Sequence, residues 1–181
     1  MKLFKIYPDS HLYLRTKCEE VSLPVSSDIK KTLLDMIEYL KKSQDDEFAT
    51  KNNIRSGVGL SANQIGICKR FFAIYFTDGE NKYEYGLVNP KILSSSTQKA
   101  FLEAGEGCLS VNDPHVGFVY RYNKIKITGF DVVSNTNVTL SLVGYPAIVF
   151  QHEYDHLNGI LFYDRIDSTS PLKVDPDAVA I

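Results

Sequence analysis

The segment His152-Glu153-Tyr154-Asp155-His156 limits what this chain can be more than any other. Histidines four residues apart stack on one face of a helix, so both imidazoles can reach a single metal ion. The glutamate beside the first histidine is placed to reach a water on that ion. Four His and nine Glu among 181 residues give roughly 0.004 such matches by chance, so we read a metal-binding helix and not two satisfied surface histidines. The helix is predicted from about Tyr145-Pro146, because proline fits a first turn, to Asn158-Gly159, a good C-cap pair.

The rest of the chain frames that helix. A length of 181 residues suits one domain, and we expect residues 1–181 to form a single catalytic domain. Ile29, Leu33, Met36, Ile37 and Leu40 share one face of a helix predicted over Asp28–Ser43, with Ser27 as N-cap. The polar stretch Gln44–Ser56 reads as a loop or frayed helix end. Strands are predicted at Phe71–Phe76, at Tyr83–Val88 closed by Asn89-Pro90, at Ile125–Val133 and at Val138–Val143. Ile160–Ile166 is apolar enough to return to the sheet, and the tail from Ser168 has no amphipathic pattern. The expected class is α+β: mainly antiparallel sheets packed around the late metal-binding helix, with one helix earlier in the chain.

Charge and apolar content exclude several roles. A net charge of −2 leaves no basic surplus to neutralise a phosphate backbone, so no nucleic-acid site is expected. The longest apolar run, Phe71–Phe76, is far below the ~20 residues a membrane-spanning helix needs. We expect a cytoplasmic protein with reduced thiols. Cys18, Cys68 and Cys108 form no CxxC pair and no disulfide framework.

A catalytic metal site takes three protein ligands and keeps one position open. Two familiar routes to the third fail here. Position 162, where a longer protease motif needs histidine, holds Phe162, and no glutamate follows Glu153. The remaining candidates are Cys108, His115, Cys68, Cys18, His11 and Asp164. Cys108 is the best, because a thiolate is a strong soft ligand and its neighbours in Glu106-Gly107-Cys108-Leu109-Ser110 include small residues. Cys18 and Cys68 read as small core hydrophobes, and His115 as an exposed loop residue.

Three segments together resemble the peptide deformylase family: Gly57-Val58-Gly59-Leu60-Ser61-Ala62-Asn63-Gln64, Glu106-Gly107-Cys108-Leu109-Ser110, and Gln151-His152-Glu153-Tyr154-Asp155-His156-Leu157. They occur in the family's order, at its spacings, across nearly the whole chain. Ser61 and Asn63 depart from it, since the family more often has alanine and then proline or threonine. Neither position is expected to carry chemistry. The residues before Gly57 and the short tail resemble the Gram-positive branch, without the tail helix through which another branch would dock on the ribosome.

The resemblance implies that Cys108, His152 and His156 hold one divalent metal, with water in the fourth position. It implies N-formylmethionyl nascent peptides as substrate, met near the ribosome, and formate as product. Glu153 is then general base and acid. The Gln64 side-chain amide and the Leu109 backbone N–H become oxyanion donors. Backbone near Gly59 pairs with the extended substrate. Ile148, Val58 and Tyr145 form the methionine pocket. Glu106 pairs with Arg121 and orients a ligand. Fe²⁺ is the active metal in many members. A Cys-His-His set also suits Zn²⁺, Ni²⁺ or Co²⁺. A monomer is the default expectation. Two alternatives stay open on residues alone: a peptidase cutting internal bonds, and a structural metal site closed by a fourth ligand.

Overall fold

The structure, a computed structural model, describes residues 2–181. In chain order its helices are α1 (Leu12–Arg15), α2 (Ser27–Ser43), α3 (Asp46–Asn52) and α4 (Tyr145–His156). Its strands are β1 (Gly59–Ser61), β2 (Phe71–Asp78), β3 (Asn81–Ser95), β4 (Lys99–Phe101), β5 (Arg121–Tyr122), β6 (Lys124–Asp131), β7 (Thr136–Val143) and β8 (Val179–Ala180). Five strands make an antiparallel sheet in the order β1-β2-β3-β6-β7. A small sheet, β5-β4-β8, has the one parallel ladder, between β4 and β8.

Strand β2 explains the layering. Side chains alternate faces along a strand, so a central strand covered on both sides is apolar throughout. Phe71 and Ala73 pack with Leu33, Met36, Ile37 and Leu40 of α2. Phe72, Ile74 and Phe76 point the other way and pack with Ala147, Val149 and Phe150 of α4. The large sheet is thus a wall between two helices. The expected α+β arrangement around a late helix holds.

Several expectations are corrected. Helix α2 is capped one residue earlier, by the Ser26 hydroxyl accepting from the Ile29 N–H at 3.4 Å. The polar stretch after it contains α3, a helix with no buried residue. The Asp45 carboxylate accepting from the Phe48 N–H at 3.0 Å and a left-handed Asn53 hold its ends, so no apolar period announces it. Strand β3 does not stop at Asn89-Pro90. It passes through an irregularity there, with Asn89 at φ +50° and its carboxamide bonded to both backbone groups of Val21. Ile160–Ile166 does not rejoin the sheet. Phe162–Arg165 is a 3₁₀ turn in which Asp164 accepts from the Leu161 N–H at 2.8 Å. The tail is irregular except for β8.

Candidate metal centre and active site

Helix α4 begins after Gly144, at φ +66°, with Pro146 in its first turn. Apolar residues surround most of it, yet Gln151, Glu153, Asp155 and His156 are also buried. Buried polar groups need partners, and those partners build the site.

The Nε2 atoms of His152 and His156 lie 3.2 Å apart, and the His156 Nε2 is 3.2 Å from the Cys108 Sγ. The three donor atoms all lie within 4.8 Å of one another. Tetrahedral bonds of ~2.0–2.1 Å to nitrogen and ~2.3 Å to sulfur put donors roughly 3.3–3.6 Å apart. The Cys-His-His set therefore fits one divalent ion, and no fourth Cys, His or carboxylate joins it among the described residues. The other third-ligand candidates are placed elsewhere. His11 caps α1 by accepting from the Tyr13 N–H at 3.3 Å. Exposed His115 stacks on Tyr163 at 4.1 Å between centroids. Asp164 pairs with Arg15 at 2.5 Å. Cys18 is buried, and burial pushes its thiol up to about 12. Cys68 is only half-buried, against the α4-side core.

Glu106 fixes the first histidine. Its carboxylate takes a two-pronged contact from Arg121, at 2.5 and 2.9 Å, and lies 2.8 Å from the His152 Nδ1. The Arg121 and Glu106 side chains are only 1% and 3% exposed, so this is not a surface salt bridge. Burial pushes the Glu106 carboxyl up, but Arg121 and His152 outweigh it and bring it down to about 2. An ionised Glu106 keeps the proton on the His152 Nδ1 and turns the Nε2 lone pair toward the metal position. Arg121 reaches on to Asp155 at 2.8 Å, and Asp155 also holds Arg165 at 2.5 and 2.6 Å. Burial pushes His156 well below the ordinary histidine range, which favours the neutral, metal-binding imidazole.

Glu153 points at strand β1. One carboxylate oxygen, Oε2, accepts from the Ser61 hydroxyl at 2.5 Å. The other lies so close to Gly59 that a Cβ there would sit 2.3 Å from it. Burial raises the Glu153 carboxyl, and His152 and Ser61 offset part of that. The Gln64 Oε1 accepts from the Ser61 N–H at 2.8 Å, so the Gln64 NH₂ faces the Ser110 hydroxyl at 3.1 Å and Cys108 at 3.5 Å. The Leu109 N–H makes no protein hydrogen bond among the described residues.

Gln64, Cys108, His152 and Glu153 line a cavity of about 330 Å³ together with Val58, Gly59, Leu109, Tyr145 and Ile148. Ile148 is buried as well as cavity-facing. All twelve predicted site residues are thus in or directly behind one site. Ser61 and Asn63, expected to carry no chemistry, both touch the helix that holds the site. Ser61 holds Glu153, and the Asn63 amide donates to the His156 carbonyl at 2.6 Å. Sequence reasoning also missed Ser110, Asp155 and Arg55. Arg55 donates to the carbonyls of Leu109 and Val111 and so holds the Cys108 loop. A polar residue in a glycine-flanked segment was the signal for Ser61, while Asp155 stood inside the helix motif itself.

A three-donor metal site, a buried carboxylate beside it and an open cavity define a metal-dependent hydrolase. The sequence model of the family described as Polypeptide deformylase matches residues 3–171. The chain belongs to that family, in its Gram-positive type, and the family's reaction is removal of the N-formyl group from new polypeptides. It is 51% identical to peptide deformylase of Staphylococcus epidermidis over 178 residues, 97% of either chain. It is 48% identical to peptide deformylase 2 of Bacillus subtilis, over 97% of this chain and 96% of that one. The crystal structure of Thermotoga maritima peptide deformylase superposes with a TM-score of 0.71 at 33% identity, covering 92% and 99% of the two chains.

Proposed function

We propose that residues 1–181 act as one catalytic domain in which Cys108, His152 and His156 hold a ferrous ion. Zn²⁺, Ni²⁺ and Co²⁺ fit the same donors. A divalent ion held there supplies a water acidic enough to act as nucleophile near neutral pH. Glu153 would take the proton of the attacking water as the formyl carbon gains an oxygen, and would give it to the amine as the C–N bond breaks. Formate and a free N-terminus leave. The Gln64 amide and the Leu109 N–H donate to the formyl oxygen as charge gathers on it. Val58, Tyr145 and Ile148 receive the methionine side chain. The Gly59 backbone pairs with the extended peptide, at a strand whose only ladder partner among the described residues is β2. Glu106, backed by Arg121, keeps His152 oriented.

The observation that carries this reading is the convergence of the Cys108, His152 and His156 donor atoms beside Glu153. The substrate is a nascent formylated chain met near the ribosome by a cytoplasmic monomer. No helix among the described residues is long and apolar enough to cross a membrane. Anaerobic metal analysis coupled to assays on a formyl-Met peptide and its unformylated twin tests the reading. One metal per chain, with highest turnover for Fe²⁺ and on the formylated peptide alone, is expected. Inactivity of the Fe²⁺-loaded protein on that peptide overturns it.

A further inference from the structure

We infer that Ser61 is a positioning residue that aims the Glu153 carboxylate, and this rests on Glu153 being the proton-transfer group proposed above. Residues two apart on a strand point to the same face, so Gly59 and Ser61 both face α4 from β1. Between them they settle where the Glu153 carboxylate lies. Gly59 leaves the volume that the Oε1 atom occupies. The Ser61 hydroxyl, 2.5 Å from Oε2, grips the other oxygen. That hydroxyl has one proton and a second acceptor in reach, the Glu153 backbone carbonyl at 3.0 Å. The closer, charged oxygen takes the bond, since hydrogen bonds to ionised acceptors are shorter and stronger.

The contact is completely buried: Ser61 is 0% exposed. No other side chain hydrogen-bonds the Glu153 carboxylate among the described residues. A glutamate has three side-chain torsions, and without the hydroxyl only packing would select among their staggered states. With it, Oε2 is tied to Ser61 and Oε1 is left beside Gly59, which lines the cavity. The same residue's N–H fixes the Gln64 carboxamide at 2.8 Å. Ser61 thus sets both the proposed proton carrier and the proposed oxyanion donor, one through its side chain and one through its backbone.

Only the side-chain contact responds to substitution. The test compares Ser61→Ala, which removes the hydroxyl, with Ser61→Thr, which keeps it. Metal-loaded proteins are assayed on a formyl-Met peptide and checked for metal content. Ser61→Ala is expected to keep one metal per chain and its KM within about twofold, while kcat falls about five- to tenfold. A reduction and not a loss is expected, because the space that Gly59 leaves for the Glu153 Oε1 is unchanged by the substitution. Ser61→Thr is expected to restore kcat to within about twofold of the wild type. An unchanged kcat in Ser61→Ala overturns the inference. So does an equal fall in both variants, which would trace the effect to packing and not to the hydroxyl. An inactive wild-type protein would instead overturn the reading of Glu153 on which this inference stands.

Discussion

Helices α2 and α4 press on opposite faces of one sheet, and they are built on opposite principles. The buried residues of α2 are apolar apart from Ser43, at its last turn, and its charged residues face solvent. Helix α4 is buried nearly all round and takes Gln151, Glu153, Asp155 and His156 inside with it. The first helix needs only shape to match the sheet. The second pairs three of these four through named partners: Tyr122 for Gln151, Ser61 for Glu153, and Arg121 with Arg165 for Asp155, while the His156 Nδ1 has none among the described residues. One face of the sheet therefore supplies stability with no chemistry, and the other carries chemistry that depends on pairing.

Substitutions that touch only one face should separate the two. The largest effect is expected for Glu153→Ala, with kcat down about a thousandfold while metal content and the thermal midpoint stay near wild type. Retained turnover would remove Glu153 from proton transfer. On the opposite face, Leu40→Ala is expected to cost about 3 kcal/mol of unfolding free energy by urea titration, with kcat/KM unchanged below the transition. A matching loss of kcat would mean that the two faces are not separable.

Glu106→Gln sharpens the comparison through pH. The folded carboxyl titrates at about 2. The unfolded one titrates near ~4.3. Its contribution to stability is therefore complete above ~4.3 and is lost as pH falls toward 2, a difference on the order of 3 kcal/mol. The wild-type urea midpoint should drop more steeply than the variant's between about pH 5 and pH 3. Parallel curves would show that the Arg121 pair does not set acid stability. The smallest effect is expected for Lys31→Ala on α2, whose Asp35 partner sits 2.9 Å away at the surface. Its unfolding free energy should change by under about 0.5 kcal/mol. A larger change would give the solvent side of α2 a role that the structure does not assign it.

The same contrast explains what the sequence disclosed. Helix α2 was legible because one apolar stripe repeats at the helical period, and β2 because a strand buried on both faces is a continuous apolar run. Helix α3 was not, since caps and not apolar residues hold it. Asn89-Pro90 reads as a stop because both are turn residues, yet the bonds of Asn89 to Val21 let β3 run on. In the site, Cys108, His152 and His156 were legible as types that bind metal. Ser61 was passed over because serine has no such signature. Its meaning comes from Glu153, 92 positions away in sequence, and only the closed fold brings the two together.

The chain of contacts from Arg165 through Asp155 and Arg121 to Glu106 consists entirely of protein groups. It holds the His152 ring in its ligating orientation by bonds that do not involve the ion. The orientation of that ring is thus set by the protein's own ionic relay. Acid reaches the ring by the same route: each link of that relay is an ion pair, so protonating one buried carboxylate would loosen the ring at its far end.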